Sequence, residues 1–223
     1  MSYAQCYYAR QVSLRHDRVE FQANRYYRDE ASKYRTIAGL YLLTPSIPLE
    51  EASRVKSVSF RLRSADQGWA TFGGNGTYHN SRTWFEASIL RPKGRRDVGN
   101  HAADFRSDGK NLTFRTALEA REELARFGLL FKGRGKKDVV WRVHHNITAR
   151  SEFTEYDIEW TEGQVVESKE EEKGMGIGIG DGKGFVESLR KGDRVALWAR
   201  AEQHNWRNIV DEAMIVITYE VPD

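Results

Sequence analysis

Two segments that lie far apart in the chain share one alternating pattern. Residues 58–69 (VSFRLRSADQGW) and 195–206 (VALWARAEQHNW) align without a gap, and each begins with three apolar residues at alternate positions. Such alternation is typical of a strand with one face against a core. In both segments it gives way to a polar turn that ends in a tryptophan, Trp69 or Trp206. The pattern predicts a β-sandwich with two Trp-bearing loops.

Further alternating stretches complete the predicted fold. Six strands combine alternation with β-branched or aromatic residues, at 54–63, 83–91, 139–149, 152–160, 194–201 and 213–221, and two weaker ones lie at 12–21 and 35–43. Because the helices needed for repeated crossovers are missing, the strands are expected to form two antiparallel sheets. We predict an all-β fold, an antiparallel and jelly-roll-like β-sandwich, in a single domain over residues 1–223.

Two stretches depart from this pattern. Residues 114–127 place apolar side chains at helical spacing, and Gly128 can end a helix, so one short inserted helix is predicted there. Residues 165–184 are charged and then glycine-rich, which predicts a flexible loop. Their glycines lack the spacing of a nucleotide-binding loop, and we predict no cofactor.

Charge and cysteine content narrow the range of partners. The chain has 35 Lys and Arg against 32 Asp and Glu, a net charge of +3, which is too balanced to indicate nucleic acid binding. No apolar run has the length of a membrane span, and no secretory signal pattern is seen, so no membrane partner is predicted. The single cysteine, Cys6, suits a reducing compartment. Together these features predict a cytoplasmic protein.

The residue types used in catalysis form no recognisable motif. His144 and His145 are adjacent, so a strand directs them to opposite faces and they cannot ligate one metal together. Asp66 and Glu86 could face each other as in a glycoside hydrolase, but a chain with 32 acidic residues offers many such pairs by chance. The sequence therefore predicts no metal and favours a non-catalytic protein.

Aromatic and amide side chains gather in the predicted loops. Sugars bind through ring faces that stack on Trp or Tyr and through hydroxyls that need paired donors and acceptors. The predicted ligand-binding residues are Asp66, Gln67, Trp69, Tyr78, His79, Trp84, Asn205, Trp206 and Arg207. A second interpretation stays open, in which the tryptophans pack at the ends of the sandwich while Asp66 and Asn208 cap turns.

Several motifs resemble those of a family of uncharacterised fungal proteins. They are DQGW at 66–69, GTY at 76–78, TWFE at 83–86 and above all GFVESLRKGDRVALWAR at 184–200, with Trp206 and Asn208. The resemblance covers residues 55–221 and implies a cytosolic protein with no established activity. More loosely, the sandwich is similar to galactose-binding-like jelly rolls, whose ligands sit on loops at one end. The chain departs from the family pattern at 71–75 and 202–205, which implies a different specificity there.

The function predicted from these features is non-catalytic recognition, with a carbohydrate or glycoconjugate as the leading ligand class. One alternative is a protein-interaction module that uses an exposed sheet face and the basic loop around Lys136 and Lys137. Another is a glycan-active enzyme. A homo-oligomer formed through an edge strand also stays open, although the sequence does not identify the edge.

Overall fold

The alternating segments form two antiparallel sheets that pack face to face in a computed structural model of the protein. The structure describes residues 7–24, 35–48, 53–94, 111–132, 140–164 and 175–221. The strands are β1 (Tyr7–Arg15), β2 (Val19–Gln22), β3 (Thr36–Leu43), β4 (Val55–Ala65), β5 (Thr83–Pro92), β6 (Thr113–Phe114), β7 (Leu129–Phe131), β8 (Trp141–His145), β9 (Thr154–Thr161), β10 (Arg194–Glu202) and β11 (Arg207–Val221). Two short helices are α1 (Arg121–Arg126) and α2 (Phe185–Ser188). The predicted all-β sandwich is confirmed.

The strands pair from the two ends of the chain inwards. Sheet A has the order β1-β11-β4-β9, with β2 also on β11, and sheet B has the order β6-β3-β10-β5-β7, with β8 also on β5. The antiparallel pairs β1 with β11, β3 with β10, β4 with β9 and β5 with β8 are therefore nested. This nesting is the jelly-roll arrangement. It brings the β4–β5, β8–β9 and β10–β11 connections to one end of the sandwich.

The main core lies between the sheets and contains the apolar faces of both alternating segments. Those faces are Val58, Phe60 and Leu62 of β4, and Val195, Leu197 and Ala199 of β10, all fully buried. A second cluster lies on the outer face of sheet B, where Leu90 and Trp198 pack with Leu124 of α1. The insertion that contains α1 thus covers part of a sheet face that would otherwise meet water. No helix within the described ranges is long and apolar enough to cross a bilayer.

The helix predicted at residues 114–127 is shorter than its spacing indicated. Phe114 lies in β6, where it pairs with Ala38 of β3. A 3-10 turn follows at Ala117–Ala120, and α1 begins only at Arg121. Gly128 has a φ of 73° just beyond the helix, as predicted for a C-terminal glycine. Strand pairing at Phe114 therefore overrides the local helical spacing.

Three predicted strands have a boundary that is displaced by four residues or more. The strand expected at 12–21 starts earlier and is divided by residues 16–18 into β1 and β2, which pair with successive parts of β11. β11 begins at Arg207 rather than at Ala213. β8 ends at His145, after which the chain leaves the sheet and reaches Ala149 with a φ of 58°.

The glycine-rich segment is packed where the structure describes it. Residues 175–184 hydrogen-bond to β8, whereas residues 165–174, the first part of the predicted flexible loop, lie outside the described residues, and the flexibility of the loop stays a prediction. A Cβ atom on Gly180 would lie 1.8 Å from the carbonyl oxygen of Arg142, and one on Gly182 would lie 2.3 Å from a buried indole ring. Glycine is needed at these positions because the backbone passes too close to its neighbours for a side chain.

Candidate functional site

Three loops meet at one end of the sandwich and bring most of the predicted ligand-binding residues together. The β4–β5 loop, residues 66–82, lies between the other two. The backbone N of Asp66 donates to the carbonyl oxygen of Arg150 in the β8–β9 loop at 2.9 Å. Gln67 Oε1 accepts from the backbone N of Arg207, at the start of β11, at 3.2 Å. The two Trp-bearing loops are therefore neighbours.

Asp66 and Gln67 hold these loops together from inside the protein. The Asp66 side chain is fully buried, and its carboxylate accepts from the backbone N of Gln67 at 2.7 Å and of Ala149 at 2.8 Å. Burial raises the pKa of Asp66 to about 6, although both backbone N–H groups favour its charged form. Gln67 is 7% exposed, and its Nε2 donates to the carbonyl oxygen of Trp69 at 2.9 Å. Both residues predicted to contact ligand instead position the loops.

The two tryptophans at equivalent positions of the shared pattern have opposite environments. Trp206 is 4% exposed and belongs to the main core, whereas Trp69 is 51% exposed. A ring that is enclosed on both faces cannot stack on a sugar. Trp206 therefore packs at the end of the sandwich, as the second interpretation of the sequence proposed. For Trp69, the interpretation as a ligand-binding residue stays open.

Two other predicted stacking residues, Tyr78 and Trp84, are each 8% exposed. Tyr78 packs in the main core, edge-on to His144, with 5.2 Å between ring centroids. Trp84 lies on the outer face of sheet B, beneath the guanidinium groups of Arg142 and Arg200, which are 4.5 and 5.3 Å from its ring centroid. Such cation–π contacts stabilise the arginines in this half-buried surface. Neither aromatic ring is free to bind a ligand.

The carboxylates considered as a catalytic pair are both committed to structural contacts. Glu86 accepts from Trp84 Nε1 at 2.7 Å and pairs with Arg200 at 3.2 Å, while Asp66 is enclosed among backbone N–H groups. His145 hydrogen-bonds Arg142, and burial together with the positive charge of that arginine lowers the pKa of His145 to about 3. This arrangement is an ion-pair network rather than an acid–base pair.

The side chains of His144 and His145 lie on opposite faces of β8, as predicted from their adjacent positions on a strand. His144 is 3% exposed and contacts Tyr78 and Tyr156 inside the sandwich, whereas His145 contacts Trp84 on the opposite face. Over the described part of the chain, no group of three or more His, Cys, Asp or Glu side chains is placed to hold a metal ion.

A smaller set of side chains remains accessible at the loop end. Trp69 is 51% and Phe72 is 69% exposed, His79 and Asn205 are also exposed, and Arg207 is half-buried. Sequence reasoning missed Phe72, because it treated residues 71–75 only as a departure from the family pattern. The available signal was a large aromatic residue in a Gly-rich turn, outside any alternating stretch.

Hydrogen bonds hold the β4–β5 loop against its neighbour. Thr77 Oγ1 donates to the carbonyl oxygen of Gly74 at 2.7 Å, and Asn80 Nδ2 donates to that of Phe72 at 3.0 Å. From the β8–β9 loop, the backbone N of Thr148 donates to the carbonyl oxygen of Thr77 at 2.7 Å. The exposed aromatic side chains therefore project from a backbone that is fixed within the loop and across it.

A buried amide network behind the loop joins the two sheets. Asn146 Oδ1 accepts from Ser64 Oγ of β4 at 2.7 Å, and its Nδ2 donates to Thr83 Oγ1 of β5 and to Asn208 Oδ1 of β11, each at 3.0 Å. All four side chains are fully buried. Asn208 therefore links sheets A and B rather than capping a turn. Buried polar groups satisfied in this way fix one arrangement of the elements that carry them.

Comparisons with known proteins assign no family. Neither models of protein families nor curated proteins match the chain. Among solved structures, the chain is similar to the crystal structure of decameric BFDV capsid protein, with 9% identity, coverage of 98% of this chain and 100% of that chain, and a TM-score of 0.33. A likeness at that level carries no conclusion about fold or function. The resemblance to uncharacterised fungal proteins stays a prediction.

Proposed function

We propose that the protein recognises a ligand without catalysis, and that the ligand is the carbohydrate part of a glycan or glycoprotein, bound at the β4–β5 loop. The observation that carries this proposal is the exposure of Trp69 and Phe72, three residues apart on a loop held by hydrogen bonds. Exposed aromatic rings offer the apolar faces on which sugar rings stack. A loop that is already ordered loses little conformational entropy when a ligand binds.

Polar groups around the two rings supply the second half of carbohydrate recognition. His79 and Asn205 are exposed, and between them they offer both hydrogen-bond donors and acceptors. Arg207 pairs with Glu20 at 3.5 Å, with side chains 38% and 43% exposed. Exposed pairs of this kind are weak, so the Arg207 guanidinium can exchange its partner for a sugar hydroxyl. The proposal therefore rests on two aromatic rings and three polar side chains.

The alternatives receive less support from the described residues. A glycan-active enzyme needs two carboxyl groups facing one cleft, and Asp66 and Glu86 are both enclosed by structural partners. The basic loop around Lys136 and Lys137, which was considered for protein binding, lies outside the described residues.

The test is a glycan array probed with the wild-type chain and with Trp69→Ala and Phe72→Ala variants. Leu118→Ala is the matched control, because it removes an exposed apolar side chain from the insertion, which carries none of the proposed ligand-binding residues. We expect selective binding by the wild type and the control. Each aromatic variant should bind about tenfold more weakly or worse, which corresponds to about 1.4 kcal/mol. An array that stays blank with the wild type, or aromatic variants that bind as the control does, would contradict the proposal.

A further inference from the structure

Sheet A ends in two long edge strands of very different character. β1 has nine residues and pairs with β11 along one side, and β9 has eight residues and pairs with β4 along one side. The outward positions of β9 are acidic, with Glu155, Asp157 and Glu159 at alternate positions. In sheet B, by contrast, β6 and β7 have two and three residues, and the five-residue edge strand β8 is covered by residues 178–180, which hydrogen-bond to it. Short or highly charged edges resist pairing with another chain, so among the described strands β1 is the least protected edge.

Exposed apolar side chains are concentrated on this same strand. Nine large hydrophobic side chains are exposed in the described part of the chain, and four of them lie on β1. They are Tyr7, Tyr8, Val12 and Leu14, with exposures of 57%, 61%, 57% and 58%. The apolar surface continues onto β11, because Val12 is directly opposite Val216 and Leu14 is directly opposite Met214. A long edge with this composition is typical of an interaction surface.

We infer that β1 pairs with β1 of a second copy of the chain, antiparallel and across a two-fold axis. In the register that places Gln11 on the axis, Tyr8 lies opposite Leu14 of the second copy, and Arg10 lies opposite Val12 of the second copy. The first pair joins an aromatic and an aliphatic side chain, and the second lets the arginine stem cover a valine. The two sheets A then form one continuous sheet.

Charge favours this pairing over the other edge. Two β9 strands in the same antiparallel arrangement would place Asp157 opposite its own copy and Glu155 opposite Glu159, which is repulsive. Pairing of β1 with β9 of another copy leaves a free edge at each end and propagates into an open chain of molecules. Asp157 is in addition already paired with Arg61 at 2.8 Å. Of these three pairings, only β1 with β1 avoids like-charge repulsion and also stops at a dimer.

The apolar surface available on β1 indicates how stable the proposed dimer should be. Aromatic side chains bury on the order of 150–250 Å² when fully enclosed, so two tyrosines and two aliphatic residues that are over half exposed offer about 400 Å² per copy. Because strand pairing leaves the outer faces of these side chains in water, two copies bury less than about 800 Å² of side-chain surface, which is below the roughly 1,200–2,000 Å² of stable complexes. We therefore expect a dimer in equilibrium with monomer rather than an obligate assembly.

Sedimentation velocity of the full chain over a roughly hundredfold range of concentration tests the inference. We expect the wild type to shift from monomer to dimer with rising concentration. Val12→Lys should remain monomeric, because lysine on an edge opposes pairing. Ile177→Lys is the matched control, since Ile177 is 55% exposed and lies off β1, and it should dimerise like the wild type. A wild type that is monomeric throughout, or a Val12→Lys variant that dimerises equally, would overturn the inference.

Cross-linking identifies the edge independently of any effect on folding. In a Cys6→Ser background, Val12→Cys should give covalent dimers with a short bismaleimide reagent, whereas Glu159→Cys on β9 should not. Cross-linking through position 159, or its absence at position 12, would assign the contact to another surface. None of the residues proposed to bind ligand lies on β1, so failure of this test and failure of the glycan test are distinguishable.

Discussion

Replacing the two equivalent tryptophans separately should give very different losses of stability. Trp206 is 4% exposed within the main core, so Trp206→Ala removes a large side chain and leaves a cavity between the sheets. Such substitutions cost about 3–5 kcal/mol. Trp69 is 51% exposed, and Trp69→Ala should cost less than about 1 kcal/mol. Since domains of this kind are stable by only about 5–15 kcal/mol, the first loss is a large share of the total.

Urea unfolding followed by far-ultraviolet circular dichroism measures this contrast without depending on tryptophan fluorescence. The midpoint of Trp206→Ala should fall well below that of the wild type, while the midpoint of Trp69→Ala should stay close to it. A Trp206→Phe variant should lie between them, because it retains most of the buried ring volume. Equal losses for Trp69→Ala and Trp206→Ala would refute the assignment of one tryptophan to the core and the other to the surface.

Three further perturbations test the loop end and the outer face of sheet B. Asn146→Ala leaves several buried polar groups without partners and should lower the free energy of unfolding by about 3 kcal/mol in urea titrations, whereas the exposed Asn75→Ala should change it by under about 0.5 kcal/mol. Because the pKa of Asp66 is raised to about 6, its carboxyl group keeps a proton in the folded state at pH values where the unfolded chain, with a pKa near 4, has lost it. The stability that this group contributes is therefore fully present below about pH 4, and the free energy of unfolding falls by about 3 kcal/mol as the pH rises to about 6. A wild-type pH profile no steeper than that of Asp66→Asn would contradict this. Glu86→Gln removes the charge opposite the buried Arg200 guanidinium and should lower the free energy of unfolding by about 3 kcal/mol. Glu202→Gln, in a more exposed ion pair, should lower it by under about 1 kcal/mol. Similar thermal melts for the two variants would contradict the ion-pair network around Glu86.

Local periodicity was a reliable guide to which side chains are buried. Val58, Phe60 and Leu62 alternate in the sequence and all face the main core, because successive side chains of a strand point to opposite faces. The same rule placed His144 and His145 on opposite sides of β8. These properties depend on neighbours in the chain, so the sequence contains them directly.

Boundaries and site residues depended on contacts between distant parts of the chain. Phe114 has helical spacing but lies in a strand because it pairs with Ala38, far away in sequence. The glycines at 176–182 read as flexible, yet Gly180 and Gly182 are required where the backbone passes close to β8 and a buried ring. Neither partner is visible from local pattern alone.

The all-β sandwich, the buried face of its central strands and a loop end rich in aromatic residues could all be inferred from local sequence patterns. The enclosure of Trp206 and the exposure of Trp69 could not, although the two occupy matching positions of one pattern. Alternation specifies the face of a strand, whereas the environment beyond the strand depends on which loops pack against it. Trp206 ends a short turn held to the end of β2 through Ala23, and Trp69 lies on a longer loop whose polar residues carry the anchoring contacts.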